Sequence, residues 1–455
     1  MLKTMESKNS EQYIKDLSRQ NNEPEWMLNK RLVAYHIFKE KPMPDFIYGL
    51  NIQMNIDLNL DEINVTNQRQ PDIQIKNNNE NIIIEIKNNN KNVIIENFNA
   101  ALKNHESILK EKFMSIANAN EKFTSFHNAF FNNLTFVYIP KNTEVKEPIE
   151  LSSTINSNVV FDHLIVLVED NSKVTLVEDS KSNRYDKEEF TRTKFGVNYV
   201  DNNRNSIKNN NNEKIINNKD NNSNKNIANE NNVYGSKIVE MFIGKNCNVN
   251  YGNVQLLNQN TFNFAIKKAV VGANSTLNWM DCCFGSKVAL SEATTILNGD
   301  GATTNNHGIF FGSKQQQFDL VNKSIHNAPH TVSDIFTKGV LTGSSKCLYR
   351  GLVRIESNAF GSNGYQKEDT LLLSEDAVAD SIPNLEIENN DVRCTHGASI
   401  GRIDREKLFY MKSRGLNDEQ ATREYVKGFF EPLIQKIQIQ NLRDNMHEMI
   451  AERMG

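Results

Sequence analysis

Between Leu134 and about Ile403 the chain shows short apolar runs at close intervals and no helical spacing between them. FDHLIVLVED and SKVTLVED lie side by side, joined by an Asn-Ser turn signal, and SKIVEMFIG, CNVNYGNVQLL, FNFAIKKAVVG and STLNWMDCCFG continue the pattern. A βαβ plan requires helical crossovers, so it is excluded as the main architecture. Two plans remain open on this pattern. One is a sandwich. The other is a parallel β-helix whose coils stack about 4.8 Å apart.

The flanks read differently. Residues near Ser10 to Phe46 have helical spacing, with Leu28, Leu32, Tyr35 and Phe38 on one apolar face. Glu23-Pro24-Glu25 suits a helix start, where proline needs no donor and carboxylates favour the dipole. Pro42 and Pro44 stop it, and Trp26 is expected to pack. From Asn51 to Asn92, IQMNIDLNL and NIIIEIK read as strands between polar pieces; Asn97 to Asn133 is helical in places before AFFNNLTFVYIP returns to strand.

After Asp404 the chain is again helical. Gly415 suits a helix C-terminus, and Asn417 with Gln420 spells a capping box. Ala421, Tyr425, Phe429, Leu433 and Ile437 form an i+4 ladder, widened by Val426 and Phe430, in which Pro432 should place a kink. The expected organisation is therefore a mostly helical unit at 1–133, a β core at 134–403 and a helical domain at 404–455. Asp201 to Asn232 is about half Asn. Such a segment has too little apolar surface to offset its ordering entropy, so a disordered insertion is expected.

Composition narrows the function classes. The 455 residues are 24% charged with a formal net charge of −4, which does not suggest a nucleic-acid binder. No apolar run follows Met1 and no stretch approaches the roughly 20 apolar residues that span a membrane, so a cytoplasmic chain is expected. The five cysteines, Cys247, Cys282, Cys283, Cys347 and Cys394, are dispersed and odd in number, so reduced thiols are expected. No CxxC occurs, which removes ferredoxin and zinc-ribbon spacings. GxxxxGK[ST], GxSxG and HExxH are missing too, so ATP hydrolysis, if involved, belongs to a partner.

The chemistry concentrates in Leu371 to Gly415. Cys394 and His396 are one residue apart, and in a strand they project from one face. Thiolate and imidazole suit iron, zinc or copper(I); a half-buried thiol and a hydrogen-bonded imidazole is the plainer alternative. A metal needs three or four ligands, so two donors demand others from elsewhere. The vicinal Cys282 and Cys283 point to opposite faces and cannot chelate together; one should pack inside the coil stack. His326 and His330 flank a proline in HNAPH, with structural duties expected ahead of a metal role. Cys247 and Cys347 have no visible ligand partner.

Three longer blocks carry a resemblance. SIPNLEI, DVRCTHGASIGRID and LFYMKSRGL resemble the C-terminal signature of the SufB/SufD family of iron–sulfur cluster assembly scaffolds. EPEWMLNKRLVAYHIFKEKPMPDF, from Glu23, resembles its N-terminal signature, especially the SufB branch, and QQQFDLVNKSIHNAPHTVSDIFTKGVL, from Gln315, resembles the centre of its core. The resemblance implies a mainly β fold: a right-handed parallel β-helix flanked by helical regions. It implies a scaffold and not an enzyme, pairing with a SufB/SufD paralogue or with itself. It implies a SufC-type ABC ATPase partner that carries the ATP, docked on the C-terminal helices, where Ala421, Tyr425, Phe429 and Leu433 are the candidate contacts. Cys394 and His396 match the SufD-type motif CxHGA, which implies a transient cluster site at a dimer interface. The SufB-type motif has Glu on each side of this His, where this chain has Thr395 and Gly397, and a Cys where this chain has Ala377. The C-terminal block thus resembles SufD and the N-terminal block SufB. Two rivals remain: a structural dimer platform without cluster ligands, and a β-helix enzyme on polysaccharide, which would need paired carboxylates that do not stand out.

Overall fold

The computed structural model describes residues 10–44, 92–155, 158–182 and 232–454, with the backbones of three further strands at 47–48, 52–53 and 82–87. Asp201 to Asn231 and most of Asn51 to Asn92 lie outside the described residues.

Nearly every apolar run of the middle region is a strand. One sheet contains β3 (Ile82–Lys87), β6 (Ile149–Ile155), β8 (Lys173–Ser182), β10 (Asn248–Leu256), β12 (Thr276–Cys283), β14 (Thr303–Gly312), β16 (Val332–Leu341), β18 (Asn363–Leu372) and β20 (Arg393–Arg402). The other contains β4 (Ile94–Asn97), β5 (Asn133–Ile139), β7 (Val159–Val168), β9 (Val233–Ile243), β11 (Thr261–Val271), β13 (Val288–Leu297), β15 (Gln317–His326), β17 (Lys346–Ile355) and β19 (Val378–Ile387). A separate hairpin pairs β1 (Ile47–Tyr48) with β2 (Ile52–Gln53). Consecutive strands from β5 onward alternate between the two sheets, and within each sheet they pair in parallel, so each coil lays one strand on each face. Only β3 and β4 join antiparallel, against β6 and β5. The result is a β-solenoid of about 8 turns, which decides between the two plans the strand pattern left open. Thr276 faces Thr303, then Val332, Asn363 and Arg393 in succession, a coil of roughly 30 residues.

One corner is built alike in seven successive coils. Asn142, Asn171, Asn246, Asn274, Gly301, His330 and Gly361 all have φ between 54° and 68°, the left-handed region that Gly and Asn enter at least cost. The first six of these amides donate to the carbonyl that precedes the equivalent residue one coil on, as Asn171 does to Lys245 and Gly301 to Pro329, and Gly361 donates to Asp391. The residue that follows is small and buried in each case: Thr143, Ser172, Cys247, Ser275, Ala302, Thr331 and Ser362. Asn171 and Asn246 also donate through their side-chain amides to the Asn one coil back, at 2.9 and 3.0 Å. At the opposite corner β10 reaches β11 through Leu257 to Asn260, whereas the segment holding the Asn-rich insertion joins β8 to β9 at the equivalent place.

The N-terminal helices α1 (Ser10–Gln20), α2 (Glu25–Glu40), α3 (Phe98–Lys112) and α4 (Lys122–Phe130) pack Phe38, Phe126 and Phe130 on Phe161, Tyr234, Phe262 and Phe264 of the second sheet. Pro24 is the N-cap of α2 and Glu25 lies in its first turn. Glu23 does something other than favour the dipole. It grips Arg31 with both oxygens, at 2.7 and 2.8 Å, while Arg31, fully buried, donates to the carbonyls of Ala129 and Phe131. Trp26 donates to Glu106 at 3.1 Å, a packing role. Between α3 and α4, the buried carboxylate of Glu240 accepts the amides of Met114, Ile116 and Ala117 and bonds the His163 ring. Burial opposes its charge, but those bonds hold the carboxyl below its ordinary range.

The C-terminal helices α5 (Arg405–Ser413), α6 (Asp418–Ile434) and α7 (Gln440–Arg453) follow β20. Gly415 is left-handed at φ 100° and the Asn417–Gln420 capping box is formed. The buried stripe of α6 is Ala421, Val426, Phe430, Leu433 and Ile434, with Tyr425 and Phe429 only half-buried beside it. An i+4 step overshoots one turn by about 40°, so a ladder of several such steps winds off the face on which it began. With α7, this stripe covers Val254, Leu256, Met280, Phe284, Ile309 and Phe311 on the outer face of the first sheet.

Candidate functional site

The site is built on the last coil. Among the described residues β19 and β20 are the end strands of their sheets, each paired on one side only. Residues that would face the core of an interior coil are therefore uncovered here. Cys394 pairs with Gly364 and His396 with Gln366 in the β18–β20 register. Gly364 and Gln366 point into the solenoid, beside Val353 and at 1% exposure respectively. Cys394 accordingly packs inward with Val353 and Leu385 and is half-buried, while His396, two residues on along the same face, is exposed. A Cβ on Gly364 would lie 3.1 Å from Cys394 Sγ, so the glycine makes the seat for the thiol. Burial pushes the Cys394 thiol up from its ordinary value. Thr395 and Gly397 alternate to the outer face of β20.

The structure thus brings Cys394 and His396 to one open face, a thiol and an imidazole as the alternation rule expects. It brings no third ligand to them: among the described residues no group of three His, Cys, Asp or Glu is arranged to hold a metal ion. One thiolate and one imidazole suit a borderline metal such as iron, but they fill only half of a tetrahedral set.

The other cysteines are fully or nearly buried. Cys247 is the small corner residue of its coil, its Sγ 3.1 Å from the Glu169 carbonyl. Cys282 faces outward under the C-terminal helices and Cys283 faces the interior, opposite sides as adjacent strand residues must be. Cys347 lies inside with Cys283, and burial pushes the thiols of Cys282, Cys283 and Cys347 upward. His326 bonds Thr331 and Ser333 through its two ring nitrogens, and burial lowers it to about 4, a neutral core histidine. His330 is a left-handed corner residue whose ring meets Phe360 edge-on.

The candidate partner contacts divide. Ala421 and Leu433 are fully buried, Leu433 in the cluster shared with the solenoid; Tyr425 and Phe429 keep an open side, and beneath the Phe429 ring the buried Lys338 lies 4.0 Å from its centre. The most exposed aromatics belong to α5, which sequence reasoning passed over: Phe409 is 74% and Tyr410 59% exposed. The signal was the consecutive apolar run LFYM, which a short helix cannot turn wholly to one face. Several buried carboxylates are tied to cations. Lys237 bonds both Asp162 and Glu178, and Lys267 lies 3.1 Å from Asp281. These buried pairs form no open acidic groove of the kind a polysaccharide enzyme uses. No helix among the described residues is long and apolar enough to cross a membrane.

Residues 198–429, about half of the chain, match the family model described as "SUF system FeS cluster assembly, SufBD core domain". Similar curated proteins bear the name "Iron-sulfur cluster assembly SufBD family protein". Those of Staphylococcus haemolyticus and Staphylococcus aureus strain USA300 are each 26% identical over 465 residues, covering 94% of this chain and 89% of the relative. That of Staphylococcus epidermidis is 25% identical over the same span and shares.

Proposed function

Because this chain belongs to the SufBD family of iron–sulfur cluster assembly proteins, we propose that it is a scaffold subunit, SufD-like in its ligands, on which a cluster is put together at the open end of the solenoid. The observation that carries this reading is the inner face of β20, which no further coil covers among the described residues, with a half-buried Cys394 and an exposed His396 on it. The cluster is cargo, held briefly. Neutral imidazole binds iron directly, and the thiol binds once the metal displaces its proton.

Two donors are too few, so the remaining ligands come from a second SufB- or SufD-type chain, or from a second copy of this one. The free edges of β19 and β20 offer unpaired amides and carbonyls for such a chain to pair with. The ATPase partner is of SufC type and carries the ATP. It docks on the exposed aromatics of α5 and the open side of α6: Phe409, Tyr410, Tyr425 and Phe429. The helices of α6 and α7 lie across the outer face of the first sheet, so a pull on them reaches the solenoid directly. The chain itself performs no catalysis in this scheme.

A platform with no ligand role draws support from the lack of a third donor among the described residues. Anaerobic isolation of the complex with its partners separates the two readings. His396→Ala should leave pairing and ATPase binding nearly unchanged and lower iron and sulfide together, and Cys394→Ser should do likewise. Equal iron and sulfide in wild type and His396→Ala would leave only the platform.

A further inference from the structure

We infer that Lys338 is a coupling residue between the C-terminal helices and the open end of the solenoid: its ammonium is held by Phe429 of α6 on one side and by Asp369 of β18 on the other, so movement of α6 changes the hold on β18, the strand against which β20 is laid. The inference rests on the docking and ligand readings given above.

The helices are fastened to one strand. Asp334, Phe336 and Lys338 are alternate residues of β16 and leave its outer face together. Lys436, just beyond α6, donates to Asp334 at 2.8 Å and lies 5.2 Å from the centre of the Phe336 ring. Lys338 lies 4.0 Å from the centre of the Phe429 ring. The two fastenings differ in what stands behind them. Behind Asp334 is His307 of β14, at 3.6 Å, on the side away from the last coil. Behind Lys338 is Asp369, its strand neighbour on β18, at 3.2 Å. Asp369 also holds Lys367 at 3.1 Å. In the β18–β20 register Lys367 is the neighbour of Gly397 and Asp369 of Ser399, the first and third residues after His396.

Lys338 is 7% exposed and Asp369 8%. A buried charge is tolerated when it is paired, and a pair kept from water attracts more strongly than one in water. The Phe429 ring is one wall of that dry place. Burial pushes the Lys338 ammonium towards losing its proton, and Asp369 opposes this. Lifting the ring admits water to the pair, weakens its attraction and leaves Asp369 to Lys367. The apolar contacts of the helices reach β18 too, at Leu371, but apolar contact is non-directional. The ion pair joins one residue of β16 to one of β18.

The test uses the full-length chain with its ATPase partner and ATP under anaerobic conditions, and reads amide hydrogen exchange at 393–402. In wild type, partner binding should change exchange there at least about fivefold, the low end of usual couplings between sites. Lys338→Met keeps the length and removes the charge. It should capture the ATPase nearly as well as wild type and lose the change at 393–402, and Lys338→Arg should restore it. Asp369→Asn breaks the pair from the other side and should lose the change too, with the double variant no worse than either single one. Lys436→Met removes the other fastening and should keep the wild-type response while protection of α6 falls. A wild-type response in folded Lys338→Met or Asp369→Asn would overturn the inference. Equal loss in Lys436→Met would do so as well, since any loosening of the helices would then suffice, and so would a captured ATPase that leaves wild-type β20 unchanged. Failure of wild type to capture the ATPase would instead defeat the docking reading, and full iron in His396→Ala the ligand reading, so the failures are told apart.

Discussion

Adjacent residues of α6 should give opposite phenotypes. Phe430 is fully buried between α6 and the outer face of the first sheet, whereas Phe429 is half-buried with Lys338 beneath its ring. Phe430→Ala removes a wholly buried ring and leaves a cavity, a loss of about 3–5 kcal/mol. Phe429→Ala loses about half of an ordinary burial term and one cation–π contact with the buried Lys338, about 2 kcal/mol together. Trp26 and Trp279 lie in the N-terminal helices and the solenoid, so tryptophan fluorescence does not report on this cap. Amide hydrogen exchange across 418–453 does. Phe430→Ala should lower protection there by about three orders of magnitude and Phe429→Ala by about one, since 1.4 kcal/mol is tenfold. The proposed docking surface adds a second axis: Phe429→Ala should weaken ATPase capture more than it weakens the cap. Equal or greater loss of protection in Phe429→Ala would mean that the i+4 ladder, and not the winding stripe, faces the sheet.

Burial pushes the Glu368 carboxyl up to about 7, from 4.5 when unperturbed. The folded chain then keeps a proton that the unfolded chain has released between those values, so stability falls as pH rises from 4.5 to 7 and stays low above. Glu368→Gln should leave stability unchanged below pH 4.5 and raise it by up to about 3 kcal/mol above pH 7, read from urea midpoints at both ends; the same shift at both ends would refute this. Native alkylation should label Cys394 and spare Cys247, Cys282, Cys283 and Cys347, slowly because burial holds the Cys394 thiol protonated. Peptide mapping that finds Cys347 labelled at a comparable rate would show that the last coils open.

The pairing of Cys394 with His396 was legible because alternation along a strand is a local rule, independent of where the strand lies. The same rule separated Cys282 from Cys283. What could not be read was which face of β20 lacks a cover, because that depends on β20 being the last strand of its sheet. The seat that Gly364 makes for Cys394 is a contact between coils, roughly one coil length apart in sequence, and the space that Gly351 leaves for Gln366 is a contact across one coil, about half that distance apart. Helix faces were legible over one or two turns and misleading over four. Glu23 looked like a dipole charge because its partner, Arg31, is named only by the fold of the turn between α1 and α2.

The corner explains why the strand pattern by itself left a β-helix and a sandwich both open. Its requirement is conformational: a residue at positive φ, then a small one that can be buried where strand passes to strand. Asn, Gly and even His meet the first demand; Ser, Thr, Ala and Cys meet the second. Read by residue identity, Asn171-Ser172, Gly301-Ala302 and His330-Thr331 share nothing. Read by backbone geometry they are one repeated unit. This also removes Cys247 and His330 from any list of ligands, since each is accounted for by its place in the stack. The corner bonds run between coils, so each corner is satisfied by the next one along. The last coil has no successor, and it is there, where the stack's own logic leaves groups unmatched, that Cys394 and His396 stand open.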